Sequence, residues 1–182
     1  MKIKNTNILF AVLFVFGTIC VGQAAAQKSL TLTAIGNGEK VRLKIGAKSK
    51  IVALEETDIG DFTAGGEPPH RYTTLLSVQN GDAFYLIAKF RSGAAISDSN
   101  APCGGDRPTT LLLIKTDKNL KVADIRTEVF DSCIYNGAGR YVQGKMQITK
   151  SKVSIAFDEG SKKYTLLFDA NEAEKGLQLI NR

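Results

Sequence analysis

The sequence has no tryptophan and only one histidine, and these two shortages exclude more chemistry than any motif includes. Enzymes that act on sugars usually line a cleft with aromatic rings. Here Phe62, Tyr72, Tyr135 and Tyr141 are the rings at hand to stack on a saccharide. A single imidazole, His70, allows no HExxH pair and no histidine-rich metal set. No cysteine belongs to a CxxC, and no serine sits in a G-x-S-x-G elbow. Gly104-Gly105 lacks the G-x-G-x-x-G spacing of a phosphate-binding turn. Helical periodicity is nearly absent, so no segment supplies the crossover helix of a parallel sheet.

What is present begins with a leader. Lys2 and Lys4 precede an unbroken apolar run over residues 8–21, and Ala24-Ala25-Ala26 offers the small-x-small pattern of a signal-peptidase site. The run is too short for a comfortable membrane span. Residues 1–26 therefore read as a cleaved signal peptide and 27–182 as one exported β-rich domain, periplasmic or secreted, soluble, with no stable membrane insertion after cleavage. Cys20 lies inside the apolar run, but Ile19 before it is too bulky for a lipobox, so Cys20 leaves with the leader. Cys103 and Cys133 remain, and in an oxidising compartment an even pair predicts a disulfide.

Removing the two leader lysines lowers the formal charge from +6 to +4. The densest basic group, Lys40, Arg42, Lys44, Lys48 and Lys50, alternates with apolar residues and reads as the solvated face of a strand. No aromatic residues interleave with it, which argues against nucleic acid as a partner. Weak attraction to anionic surfaces, cell-wall polymers or lipid headgroups, is compatible with it.

Period-two patterning predicts an antiparallel all-β fold, a sandwich or barrel of about ten strands with one disulfide. Leu30, Leu32 and Ala34 alternate with threonines, then Val41, Leu43 and Ile45 alternate with cations, forming an opening hairpin. Further strands are expected at 50–54, 72–78, 83–90, 109–116, 120–125, 128–135, 141–149, 152–158, 163–169 and 177–180. Asn80-Gly81-Asp82 marks the clearest hairpin. On its returning strand Phe84, Leu86, Ala88 and Phe90 share one face, with Tyr85, Lys89 and Arg91 on the other. The apolar run Leu111-Leu112-Leu113-Ile114 predicts burial on both faces. A single helical turn is expected at 171–175. Two long aperiodic loops, 55–69 and 92–108, interrupt the strands.

Three groups of residues are candidate sites. In the acidic loop Glu55, Asp58 and Asp61 offer hard oxygens to Ca²⁺, but their spacing fits no EF-hand, and a solvated loop is the plainer reading. His70 and Arg71, after two prolines, frame the start of a strand; a catalytic histidine needs a nucleophile and an orienting group that nothing nearby marks. Asp106 and Arg107, beside Cys103, form a polar hook that a disulfide would hold rigid against Cys133. No cofactor is expected.

These observations favour a non-catalytic extracytoplasmic binding module whose partner is a protein or glycan of that compartment. In outline, a small exported β domain with one disulfide, the chain is similar to the periplasmic lysozyme inhibitors of Gram-negative bacteria. That likeness implies an inhibitor presenting residues 100–108 to a secreted wall-degrading enzyme, and it carries no residue across. A small hydrolase or metal-dependent enzyme is the third reading, and it requires His70 to converge with Glu55, Asp58, Asp61, Asp106 or Asp131.

Overall fold

The computed structural model describes residues 28–36, 40–54, 72–91, 108–135 and 138–182. Alternation gives the first three strands: β1 (Leu30–Ile35), β2 (Lys40–Ile45) and β3 (Lys48–Ala53) form an antiparallel sheet in that order. In β2, Val41, Leu43 and Ile45 are buried while Lys40, Arg42 and Lys44 are exposed, the pattern of a strand with one wet face.

The remaining strands form a second, antiparallel sheet. They are β4 (Tyr72–Asn80), β5 (Ala83–Arg91), β6 (Thr109–Asp117), β7 (Val122–Tyr135), β8 (Ala138–Val142), β9 (Gln147–Ile148), β10 (Lys152–Glu159), β11 (Lys162–Asp169) and β12 (Gln178–Asn181). Their spatial order is β12-β11-β10-β8-β7-β6-β5-β4, with β9 paired to β10. Apart from β9, each strand lies beside its neighbour in sequence, so the sheet is one long meander. It does not close: β4 and β12 stand at opposite ends of the order. The barrel alternative is thereby removed; the described residues form twelve strands.

Three differences from the sequence reading have physical causes. The segments expected as two strands, 120–125 and 128–135, are one strand, β7, because antiparallel pairing to β6 continues through Thr127. The expected strand 141–149 is split into the end of β8 and the two-residue β9 by Gly144 at φ 75°, a conformation suited to glycine. The hairpin between β4 and β5 turns on Gly81-Asp82, and Asn80 remains in the ladder opposite Ala83. Gly81 has φ 60°, and no residue after it in the turn needs positive φ, the signature of a type II′ turn.

The apolar faces explain how the sheets stack. Phe84, Leu86, Ala88 and Phe90 of β5 join Leu112 and Ile114 of β6 in packing against Leu30, Val41 and Leu43 of the small sheet. From the opposite face, Tyr85, Ile87, Leu111 and Leu113 pack against Val153, Ile155, Phe157, Leu166 and Phe168 of β10 and β11. The middle layer is thus covered twice: by β1–β3 on one side, and by the far half of its own meander on the other. Leu111 to Ile114 are each no more than 1% exposed, as the unbroken apolar run predicts. Each such side chain contributes roughly 2 kcal/mol of burial.

Strand β7 makes this doubling possible. It pairs with β6 up to Asp131 and with β8 from Ser132. Along it Thr110 faces Val129 and Thr109 faces Asp131, which leaves Phe130 as the extra residue of a β-bulge. Bulges bend a strand and strengthen its twist. Asp117 ends β6 in a tight side-chain-capped turn: its Oδ1 accepts from the backbone N–H of Asn119 and Lys121 at 2.8 and 2.9 Å. These bonds hold its carboxyl below the usual carboxylate range.

Candidate functional site

The ladder end of the middle layer carries a cleft lined by residues of four strands. Register places Thr73 opposite Lys89, Arg91 opposite Thr109, and Thr109 opposite Asp131. Four neighbouring strands therefore set a threonine, two cations, a second threonine and an acid along one edge. The space between them is about 530 Å³, within the range of small-molecule sites, and Phe130 and Met146 supply its apolar wall. Phe130 reaches this wall because it is the bulged residue of β7. Arg91 Nε donates to Thr109 Oγ1 at 3.4 Å, a long bond that leaves most of its donors available. Among the described residues neither Lys89 nor Arg91 forms an ion pair. With Asp131 as the acid at this end, the lining carries a net positive charge. Behind it Tyr72 tilts against Phe90, with ring centroids 5.4 Å apart, and burial pushes its phenol pKa far up.

Two other polar clusters are tied into the frame. Arg140, 5% exposed, donates from Nε to Glu159 at 2.7 Å and from a terminal nitrogen to Glu128 and to the Val129 carbonyl, while its guanidinium lies 5.1 Å from the Phe157 ring centroid. It knits β7, β8 and β10 together where the sheet bends. Tyr85 donates to Glu174, which also accepts from Lys115; this fastens the 3₁₀ helix Ala170–Lys175 to the middle layer.

The structure brings one of the sequence-predicted site residues to the cleft, Asp131. Glu55, Asp58, Asp61, His70, Arg71, Cys103, Asp106 and Arg107 lie outside the described residues. So does the rest of the loop 100–107 that the inhibitor reading invokes. Cys133 lies on β7, half-buried. Among the described residues no three His, Cys, Asp or Glu side chains are placed to hold a metal, and no helix is long and apolar enough to cross a membrane.

The sequence reading missed Thr73, Thr109, Phe130 and Met146 as lining residues. Alternation had put Lys89 and Arg91 on one face of β5, and their place just before a long loop was the available signal. Nothing in the sequence marks Phe130, since a bulge changes register without changing composition.

The basic group is the other feature the register reorganises. Ile45 pairs with Lys48 across the two-residue turn Gly46-Ala47, so even-numbered residues of β2 share a face with odd-numbered residues of β3. Lys40, Arg42 and Lys44 do form one exposed face, beside Thr31 and Thr33 of β1. Lys48 and Lys50 are a correction: they stand on the opposite face, facing Ile45 and Leu43 on an edge strand. There Lys48 Nζ donates to Asn119 Oδ1 at 2.8 Å and to the Lys118 carbonyl at 3.3 Å. Inward-pointing charges on an edge strand discourage pairing with another chain.

Comparison with known protein families, curated proteins and solved structures finds no match to this chain.

Proposed function

We propose that the protein is a non-catalytic extracytoplasmic binding module, and that the cleft between Thr73, Lys89, Arg91 and Asp131 holds its ligand. The observation that carries this reading is the geometry of that cleft: two cations without an ion pair among the described residues, set against an apolar wall at the end of the ladder. Such a lining suits a small compound with an anionic group for Lys89 and Arg91 and an apolar part against Phe130 and Met146. The extracytoplasmic address rests on the leader at residues 1–26.

A Cys103–Cys133 disulfide belongs to the same reading. Thr109 near the start of β6 pairs with Asp131, two residues before Cys133 on β7. Cys103 precedes Pro108 by five residues, a stretch that spans at most about 18 Å when extended.

The test is retention of small molecules. Immobilised protein is exposed to a periplasmic extract, washed, and its eluate analysed by mass spectrometry beside a Lys89→Glu/Arg91→Glu double variant. The expected result is an anionic compound held by the parent, unchanged on elution, and lost from the variant. Equal retention by both overturns the cleft assignment, and chemical conversion of the compound overturns the non-catalytic reading.

A further inference from the structure

The outward face of the small sheet carries a feature the cleft does not use. Lys40, Arg42 and Lys44 project from its central strand, two residues apart, so the row of cations spans about 13 Å. At its centre Arg42 sits between Thr33 on β1 and Ile51 on β3. No acid belongs to this face among the described residues, and none of the three cations forms an ion pair there. Elsewhere Lys115, Arg126, Arg140 and Lys175 each have a carboxylate partner. Ile51, 54% exposed, is the most exposed of the large hydrophobic residues described. It shares a shallow hollow with Arg42, Lys44 and Ser49 of the same face.

We propose that this face docks the protein peripherally on an anionic lipid surface, with the cations on phosphate headgroups and Ile51 entering the headgroup layer. Two features of the face point to a bilayer. Three cations on one flat sheet can meet several headgroups at once, each reaching a phosphate along its own flexible stem. A soluble polyanion would use the cations and gain nothing from an exposed isoleucine, whereas a lipid interface accepts both. The proposal is independent of the cleft, which lies on the large sheet.

Cosedimentation tests it, using the purified protein as recovered after export and vesicles of phosphatidylcholine with or without phosphatidylglycerol. Binding is expected only with the anionic lipid, and it should weaken as salt rises. Each cation removed should cost roughly fivefold in partitioning, so Lys40→Gln/Arg42→Gln/Lys44→Gln should lose on the order of a hundredfold. These side chains are exposed, and unchanged thermal unfolding of the variant confirms that the fold survives. Ile51→Ser should also bind more weakly, and the difference should persist at high salt. Parent-like vesicle binding by the triple variant or by Ile51→Ser overturns the proposal. So does binding of soluble polyphosphate without binding of vesicles, which would assign the face to a polymer.

Discussion

The Tyr85 hydroxyl donates to Glu174 Oε1 at 2.5 Å, joining a residue 1% exposed, packed among Ile87, Leu113 and Phe168, to a carboxylate that is mostly in solvent. Lys115 Nζ donates to the other oxygen at 2.7 Å and lies 5.4 Å from the Tyr85 ring centroid. Lys115 and Tyr85 hold the Glu174 carboxyl below its ordinary pKa. Glu174 and Tyr85 hold the Lys115 ammonium above its own. For Tyr85, burial and then the Glu174 bond push the phenol up.

The signs predict losses at both ends of the pH range. A lowered carboxyl pKa stabilises the fold above the ordinary glutamate range, and that contribution disappears as pH falls through the folded value. Raised phenol and ammonium pKa values stabilise it below their ordinary ranges and are lost as pH rises through the folded values. Glu174→Gln should flatten the acid limb of a denaturation-midpoint profile against pH and weaken the alkaline one only in part, since burial still raises the Tyr85 phenol, whereas Tyr85→Phe should lower stability by about 1 kcal/mol near neutrality. An acid limb unchanged in Glu174→Gln would show that the triad contributes nothing there.

Arg140 anchors the bend of the large sheet, and its removal leaves Glu128 and Glu159 without their shared cation and the Val129 carbonyl without this donor. Arg140→Ala should destabilise by about 3–5 kcal/mol in chemical denaturation. Arg140→Lys should recover only part of that, because an ammonium cannot present separate N–H groups to two carboxylates in a fixed plane. Full recovery with lysine would mean that charge alone matters at this site.

Thr116 of β6, opposite Phe84 in the ladder, is 1% exposed, and its hydroxyl has no hydrogen-bond partner among the described residues. Thr116→Val keeps the shape and removes a desolvated hydroxyl. It should stabilise the protein by roughly 1 kcal/mol, read from the urea midpoint at constant slope. A loss of stability would point to a hydrogen bond at that hydroxyl.

Cys103 and Cys133 give the proposal its covalent check. Intact protein should resist alkylation until reduced and should then take up two labels. Reduction or Cys133→Ser should cost roughly 2–5 kcal/mol. Labelling of the unreduced protein would remove the bridge.

The strands were legible because burial enforces period two, and Leu111 to Ile114 announced a doubly covered strand by having no polar residue among them. Alternation places Tyr85 on the face of Lys89 and Arg91 but does not reveal its burial. It depends on Phe168 and Glu174, more than eighty residues later. Lys48 and Lys50 continued the basic alternation in the sequence and changed faces in the fold, since a two-residue turn reverses the parity of the next strand. Phe130 entered the cleft wall through a bulge that pairing energetics on three strands decide together. The cleft was half-readable for the same reason: Lys89 and Arg91 follow from alternation, while Thr73, Thr109 and Asp131 join them only through ladder register.

The twofold covering of the middle layer also bears on how the chain is made. Synthesis from the N-terminus completes β1–β3 before any residue of β5 or β6 exists, so the Leu30, Val41 and Leu43 face begins its life bare. When β5 and β6 arrive they shelter that face, yet they present a second one, Ile87 and Leu113, that waits for Val153 to Phe168. Each layer is thus the pending debt of the one before it, and a ribosome that stalls anywhere short of β11 leaves an apolar surface open to water.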